Sequence, residues 1–572
     1  MAEYSDKKYN RSLKNPTIEG SDGLVLPTGT TSGGTGRPVS PTEGSIRYNT
    51  TTGLAEIYSS IGYISVDSPP TISTFSGIIN ESTNTTITVT GVNFQVGVVI
   101  SISGAGVSNV NRNLSTTRVN STTLTANTAA ASVSYVANAS FNVTVTNPTG
   151  LSNTLSTAGT VDGVPVWSTS AGSLGTVNLG SSANFSPTAT DPNSDTITYS
   201  LLSGSLPTGT SLNSSTGAIT GTVSGSDGTF SFTLRASSTQ ASTVSTADRA
   251  FSITVSPVAT GGTITDLSLG GNNYKLHAFT SGTSDFVLNV NKSLDVLIVA
   301  GGGGGGRSIG DNDTGKGGGG AGQALLRTGY SPGTGTYSIV IGAGGPGLTN
   351  GSGSAPPAPT SAGNSTGFSV TANGGGYGGA SDNHYGPQTG GSGGGGGARN
   401  GNSNDNGAAS NKTSPAGWTS YGNGGGNSAS GNYGGGGGGG AGGSGSNQSG
   451  PSNAGVGGDG GIGIDLGTTF GTTYGSPGGW FAGGGGGGSY TTGGSLLAQS
   501  NTNAGGYYGG GGRGTSCVET SSSNQSVVTD NDAIANTGGG GGGSAEDANR
   551  TANKGSRSGA GGSGIVLIRY QV

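Results

Sequence analysis

Reactive side chains are scarce in this chain, and their spacing argues against most chemistry before any element is placed. Its 572 residues hold two histidines, His277 and His384, and one cysteine, Cys517. The histidines lie far apart in sequence, so a Ser-His-Asp triad or a histidine-rich metal site has little material. Cys517 cannot make an intrachain disulfide, and with no histidine or activating motif beside it the thiol reads as inert. Asp311/Asp313 and Glu546/Asp547 are carboxylate pairs of the sort glycosidases use, but their polar loop setting reads as solvated charge. Gly310 to Gly317 nearly spells the phosphate loop G-x-x-x-x-G-K-[ST]. It fails at Gly317, where a hydroxyl must reach Mg²⁺, and more glycine follows where a helix N-terminus should hold phosphate. Asp191 and Asp195 could offer oxygens to calcium, which takes six to eight; two carboxylates fall short, and Asp191 before Pro192 reads as a turn former. The expectation is no enzyme, no cofactor and no metal.

The aromatics are a different matter. Tyr377, His384 and Tyr385, Trp418 and Tyr421, Tyr433, Trp480 and Phe481, Tyr490, and Tyr507 and Tyr508 fall between glycine runs. Rings with a polar handle carry much of the energy at recognition surfaces, and a sugar ring has an apolar face that can stack on them. The same rings could instead pack over a glycine-rich layer, and the sequence leaves both uses open. The candidate receptor contacts are His384, Tyr385, Trp418, Tyr421, Tyr507 and Tyr508, in loops 382–388, 418–421 and 507–516.

What must position them is glycine. The chain has 124 glycines, with unbroken runs at Gly301–Gly306, Gly317–Gly320, Gly393–Gly397, Gly434–Gly440, Gly483–Gly488 and Gly538–Gly543. Such composition would ordinarily mean a flexible linker. Good strands bracket it, however, at Leu294–Ala300 (LDVLIVA) and Gly564–Tyr570 (GIVLIRY). Ordering glycine costs about 1–2 kcal/mol per residue, more than the roughly 0.5–1.5 kcal/mol that one net hydrogen bond returns. An isolated run therefore stays unfolded. Stacked runs approach balance, because backbones without Cβ atoms can pack closely as extended three-fold helices and bond every neighbour. Collagen is excluded, since no Gly-X-Y period exists. The expected structure is a slab of packed polyglycine II helices on a β-structured base drawn from 286–290, 294–300, 323–327, 336–341, 368–371 and 565–570.

Length predicts several domains. With 9% charged and 29% hydrophobic residues, neither a charged disordered chain nor a large helical core fits. The formal charge is −5 with scattered basic residues, so no nucleic-acid or anionic-membrane footprint is expected. No apolar stretch is long enough to span a bilayer, and the opening MAEYSDKKYNRSLKNPTIEG lacks the apolar core of a signal peptide.

Along the chain, residues 1–69 form an N-terminal attachment segment. Ile46 and Tyr48 alternate as a strand, a turn follows at Asn49–Gly53, and Ala55–Ile64 reads as a returning strand. The pattern R-P-x-x-P-x-x-G-x-I-R-Y-N-T-x-T-x-x-x-E-x-Y resembles a hairpin module of phage tail-fibre and other virion structural proteins; a generic stalk hairpin is the alternative. In residues 70–159, Ile87 and Val89 share one strand face, and Phe141, Val143 and Val145 share another. With Gly91-Val92-Asn93-Phe94 and a closing Val145-Thr146-Asn147, this segment resembles an IPT/TIG immunoglobulin-like domain. Residues 160–257 carry A-T-D-P, I-T-Y-S-L, G-S-L-P-x-G and T-G-A-I-T-G, and resemble the Putative Ig and cadherin-like repeat families. Residues 258–572, with YKLHAFTSGTSDFVLN, GGGGAGQALLRTGY and the terminal GGSGIVLIRY, resemble glycine-rich C-terminal domains of cyanophage fibre-like proteins and polyglycine-helix adhesin tips.

The fold class expected is therefore all-β and multidomain: two Ig-like sandwiches plus the glycine-rich domain. The resemblances imply a non-enzymatic virion fibre protein, made in the host cytoplasm and released by lysis. It would grip other virion proteins through residues 1–69 and a host surface glycan or protein through its C-terminal domain. Fibre proteins of this kind are often homotrimers, but no heptad pattern supports a coiled coil, so oligomeric state stays open. A head or neck decoration, a bacterial surface adhesin and a polysaccharide-degrading enzyme are the other readings.

Overall fold

The computed structural model describes residues 28–29, 41–50, 54–60, 62–108, 111–128, 134–307, 314–348, 359–380, 385–398, 405–429, 433–451, 454–492, 505–519, 525–527, 531–546 and 557–572. The protein is all-β in character, with one helical turn at Gly467–Phe470 and two short 3₁₀ turns among the described residues. It divides into two compact units, residues 1–177 with 181–255, and 178–180 with 256–572.

The first unit begins with a small sheet ordered Thr28–Gly29, Ile46–Asn49, Leu54–Ser59 and Gly62–Val66. The returning strand expected over 55–64 is in fact two strands, because the chain reverses tightly between Ser59 and Gly62, which pair with each other. The alternation here is inverted. Arg47 and Glu56 are buried and ion-paired on one face, Asn49 donates to Glu56 Oε1 at 2.6 Å, and the Arg47 guanidinium lies 4.5 Å from the Tyr63 ring centre. Ile46, Tyr48, Ile57 and Val66 are exposed on the other.

Two four-stranded antiparallel sheets follow: Thr71–Ser76, Thr86–Val92, Thr123–Asn127 and Ser115–Asn120 in one; Ser152–Thr160, Ser140–Thr146, Val99–Ser103 and Arg112–Asn113 in the other. Period-2 alternation turns Ile87, Val89 and Leu124 inward from the first sheet, and Ile100, Ile102, Phe141, Val143 and Val145 from the second, as one core. A second sandwich pairs the sheet Gly172–Asn178, Thr243–Ser256, Gly228–Gln240 and Thr198–Gly204 with the smaller sheet Ser182–Phe185, Ile219–Thr222 and Thr210–Leu212. Trp167 anchors it against Phe251 and Tyr199, ring centres 5.3 and 5.7 Å away, and donates its indole N–H to the Ala247 carbonyl at 3.1 Å.

The second unit rests on two sheets rather than one. A five-stranded sheet runs Ala259–Thr260, Thr283–Leu288, Gly335–Val340, Ser365–Gly367 and Val370–Ala372; a six-stranded sheet runs Thr263–Leu269, Asn272–Phe279, Ile565–Gln571, Leu294–Val299, Ala324–Tyr330 and Thr419–Tyr421. The segment 368–371, expected as a strand, is strand only from Val370 on: Phe368 and Ser369 take φ of 53° and 62° and form the reversal between two short strands. Phe286, Val296, Ile298, Ile339, Val566 and Ile568 form a core on one side of the six-stranded sheet; Leu297, Val299, Leu567, Ile464 and Phe481 form another on its opposite side. Burial on both faces explains the near-continuous apolar runs LDVLIVA and GIVLIRY.

The glycine runs pack as the slab expected of them. The amides of Gly317 and Gly320 donate to Gly379 and Gly376, those of Gly318 and Ala321 to Gly436 and Gly439, and those of Gly319 and Gly322 to Gly541 and Gly538, all at 2.8–3.0 Å. Carbonyls of the same run accept from three further neighbours: Gly303 and Gly306, Ser392 and Gly395, and Gly485. A repeat of three residues with six surrounding chains is polyglycine II packing. Within the six runs only Gly538 has a positive φ, at 69°, so it is close approach and not backbone freedom that demands glycine.

Candidate functional site

At one edge of this slab a 3₁₀ turn, Gly505–Tyr507, carries two tyrosines onto the surface. Tyr507 is 40% and Tyr508 38% exposed, and their rings meet edge-on with centres 5.9 Å apart. Tyr508 also packs on Trp480, centre to centre 5.0 Å. The backbone fixes this group: Gly463 N–H donates to the Tyr508 carbonyl at 2.7 Å, and Gly509 N–H to the Ser476 carbonyl at 2.6 Å. Trp480 is held by pairing of Trp480–Phe481 with Ile464–Asp465.

Beside the tyrosines lies a groove of about 610 Å³ lined by Tyr507, Arg513, Asn531, Asp532, Ile534 and Arg557, with Gly510 and Gly511 as its floor. That volume is within the roughly 300–1,000 Å³ typical of small-molecule sites. Buried Asn531 ties the groove wall to the slab: its Nδ2 donates to the Arg557 carbonyl at 2.7 Å, and its own carbonyl accepts from Gly542 N–H at 2.8 Å. Arg557 Nη2 pairs with Asp532 Oδ2, while Asp532 Oδ1 accepts from Ala560 N–H at 2.7 Å. Ile534 is 50% exposed and adds an apolar patch.

The six residues singled out by sequence therefore part company. Tyr507 and Tyr508 come together on the surface. Trp418 does not belong with them: it is 8% exposed, packed in the base core with Tyr330 at 6.0 Å. Tyr421, in the edge strand Thr419–Tyr421, is half-buried against the other core. Their correction has one cause, that the six-stranded sheet ends here and needs large rings to close its core. Tyr385 is half-buried near Tyr377, whose hydroxyl is pushed up first by burial and then by Tyr385. His384, with residues 382 and 383 of loop 382–388, lies outside the described residues. Loop 507–516 contains Arg513, though sequence reasoning did not single it out, and Asp532, Ile534 and Arg557 were missed; their signal was rarity, charged and branched side chains amid glycine.

The other tempting groups have structural work. Lys316 is fully buried within the slab and donates to Thr314 Oγ1, while residues 310–313 of the loop-like motif lie outside the described residues. Cys517 is buried with Tyr490 in a small cluster. Asp191 Oδ1 accepts from Asn193 N–H at 2.8 Å and Asp195 N–H at 3.3 Å, the turn-forming role expected of it. Among the described residues no group of three or more His, Cys, Asp or Glu is placed to hold a metal ion, and no helix is long and apolar enough to cross a membrane.

Sandwiches joined to a polyglycine slab define a modular β-protein of adhesive or structural type, and comparison with known families agrees. Residues 279–571, just over half of the chain, match the family described as Glycine-rich domain, and the chain belongs to that family. Residues 164–256 match the family described as Putative Ig domain. Neither family is a catalytic one. No curated protein matches. Among solved structures, the protocadherin gammaB4 extracellular domain is 12% identical, covers 50% of this chain and 55% of its own, and has a TM-score of 0.18. The titin I-band fragment I67–I69 is 13% identical over 41% of this chain and 80% of its own, with a TM-score of 0.22. Human protocadherin-24 EC1-2 is 14% identical over 34% and 99%, with a TM-score of 0.19. The chain thus spans about half the length of the first of these, and no functional argument rests on them.

Proposed function

We propose that this chain is a virion fibre protein that attaches a phage particle to its host, with the tyrosine groove as the contact surface. The carrying observation is the pairing of exposed Tyr507 and Tyr508 with a charged groove on a slab whose runs hydrogen-bond one another through their backbones. Such a platform costs little ordering entropy on binding, which favours affinity. The Ig-like domains are spacers, and several copies on one particle turn weak contacts into avidity. The exposed apolar face of Ile46, Tyr48, Ile57 and Val66 supports a grip on another virion protein by the first seventy residues or so. A purely structural fibre or decoration is the second reading, favoured by the burial of Trp418, Tyr490 and Phe481 within the domain. Labelled full-length protein mixed with a panel of bacterial cells tests the first reading. Saturable binding that the double variant Tyr507→Ala/Tyr508→Ala loses supports it; binding that the variant retains, or none across the panel, favours the structural one.

A further inference from the structure

We infer that the two sandwiches are locked into one rigid strut by a buried knot, to which each sandwich and the linker between them supply one side chain. Asn80 comes from the first sandwich, Asp162 from the linker and Ser245 from the second, and none is more than 1% exposed. Asn80 Nδ2 donates to Asp162 Oδ2 and to Ser245 Oγ, both at 2.6 Å, and the Ser245 hydroxyl donates to the same Asp162 oxygen at 3.0 Å. Asn80 is held in that pose, because its Oδ1 accepts from the amides of Ser82 and Thr83 at 2.9 and 2.8 Å. Ser245 reaches the knot on an arm. Gly228–Gln240 and Thr243–Ser256 pair along their length, closed by a two-residue turn in which Ala241 and Ser242 take φ of 40° and 76°. The neighbouring strand Thr198–Gly204 stops opposite Ser237, so the hairpin runs on past it; Ser238 and Ser245, opposite each other there, are both buried.

The linker itself is gripped from both sides. The amides of Val161, Asp162, Gly163 and Val164 donate to the Ala139 carbonyl, the Ile79 carbonyl, Asn193 Oδ1 and Glu81 Oε2, at 3.0, 2.8, 2.8 and 3.3 Å. Ala139, Ile79 and Glu81 belong to the first sandwich and Asn193 to the second. A Cβ on Gly163 would stand 2.8 Å from both Ala137 Cβ of the first sandwich and Pro192 Cγ of the second, so the two close on the linker with no room to spare. Domains of one chain that meet over a small interface move against each other by default. Apolar contacts can slide, but a buried polar network holds one register: a swing about the linker leaves the Asp162 carboxylate away from water with its partners gone. The joint therefore fixes the angle between the sandwiches, whatever the chain displays beyond them.

The test measures the distance between spin labels on Val119→Cys in the first sandwich and Leu202→Cys in the second, both exposed positions, in the full-length chain carrying Cys517→Ser. Pulsed electron paramagnetic resonance should give one narrow distribution for the natural joint. Ser245→Ala removes one hydroxyl from the knot and should lose that peak to a broad one. Hydrogen exchange on the same variant should show the amides of Asp162 and Gly163 losing protection while those of Val89 and Leu234, in the two cores, keep theirs. Should Ser245→Ala unfold a sandwich, Gly163→Ala takes its place, with the narrow peak displaced by the methyl wedged between Ala137 and Pro192. A broad distribution in the natural joint overturns the inference, and so does a narrow one that the folded variant leaves unchanged. The first of these readings is made on the natural joint, so it does not depend on a variant folding.

Discussion

Replacing Gly318 with alanine puts the packing argument at risk directly. A Cβ there would stand 2.6 Å from the Gly485 carbonyl carbon and 2.9 Å from the Gly486 oxygen, and closer still to the Gly485 oxygen. Ordinary contact between non-bonded carbons is about 3.5–4.0 Å, so the neighbouring run must retreat by about 1 Å. Gly485 N–H donates to Gly319 at 2.9 Å, and the Gly485 carbonyl accepts from Gly438 N–H at 2.8 Å. A retreat of that size takes both bonds past hydrogen-bonding range, and a buried donor without a partner costs about 1–3 kcal/mol. The expected loss is about 2–6 kcal/mol. Gly386 is the internal control: nothing among the described residues lies within 4 Å of its Cβ position and its φ is outside the left-handed region. Gly386→Ala should stabilise by about 0.4–1 kcal/mol, because alanine restricts the unfolded chain. Urea unfolding followed by tryptophan fluorescence reads both variants, and hydrogen exchange reads the amides of Gly317 to Gly322. Equal midpoints for the two variants, with unchanged exchange in that run, would refute close packing as the reason for glycine.

Two further outcomes follow from the base. His277 is fully buried with Nδ1–H donating to the Gly261 carbonyl at 2.7 Å; burial lowers its pKa, the Gly261 bond partly opposes this and Lys275 adds to the lowering. As pH falls through about 6.5 the unfolded chain gains a proton that the folded one refuses, so stability drops by up to about 1.4 kcal/mol per pH unit until the folded pKa is reached. Melting temperatures at pH 7.5 and 5.0 should diverge for the natural chain and less so for His277→Phe. Trp418→Ala should cost about 3–5 kcal/mol as a core truncation, whereas Tyr507→Ala should change stability by about 0.5 kcal/mol or less; urea midpoints of the two variants check the division of labour.

The strands were legible because their alternation encodes which face is buried. Ile87 and Val89 turn inward from one strand and Phe141, Val143 and Val145 from another, as their spacing requires. LDVLIVA and GIVLIRY announced strands at the borders of the glycine region, and the runs between them announced stacking; that the sheet is buried on both faces emerged only with the structure. What the runs could not announce was which lies beside which. Gly318 bonds Gly436 and Gly319 bonds Gly541, yet glycine carries no side chain to record that choice. The groove was illegible for the same reason. Arg513, Asp532 and Arg557 are far apart in sequence and meet only once the runs have taken their places. Trp418 misled because a tryptophan between glycines looks the same whether it caps a core or faces solvent.

Leu294–Val299 and Ile565–Gln571 pair side by side in the six-stranded sheet. The polypeptide thus leaves the base at one strand and closes on its neighbour, with the glycine runs and the inner base strands at Ala324–Tyr330, Gly335–Val340 and Thr419–Tyr421 strung between. Neither mooring senses how long that excursion is. Loops can be swapped like cassettes at the ends of the rods while the anchorage keeps its alignment, so novelty in what the surface touches need not be traded against the soundness of its foundation.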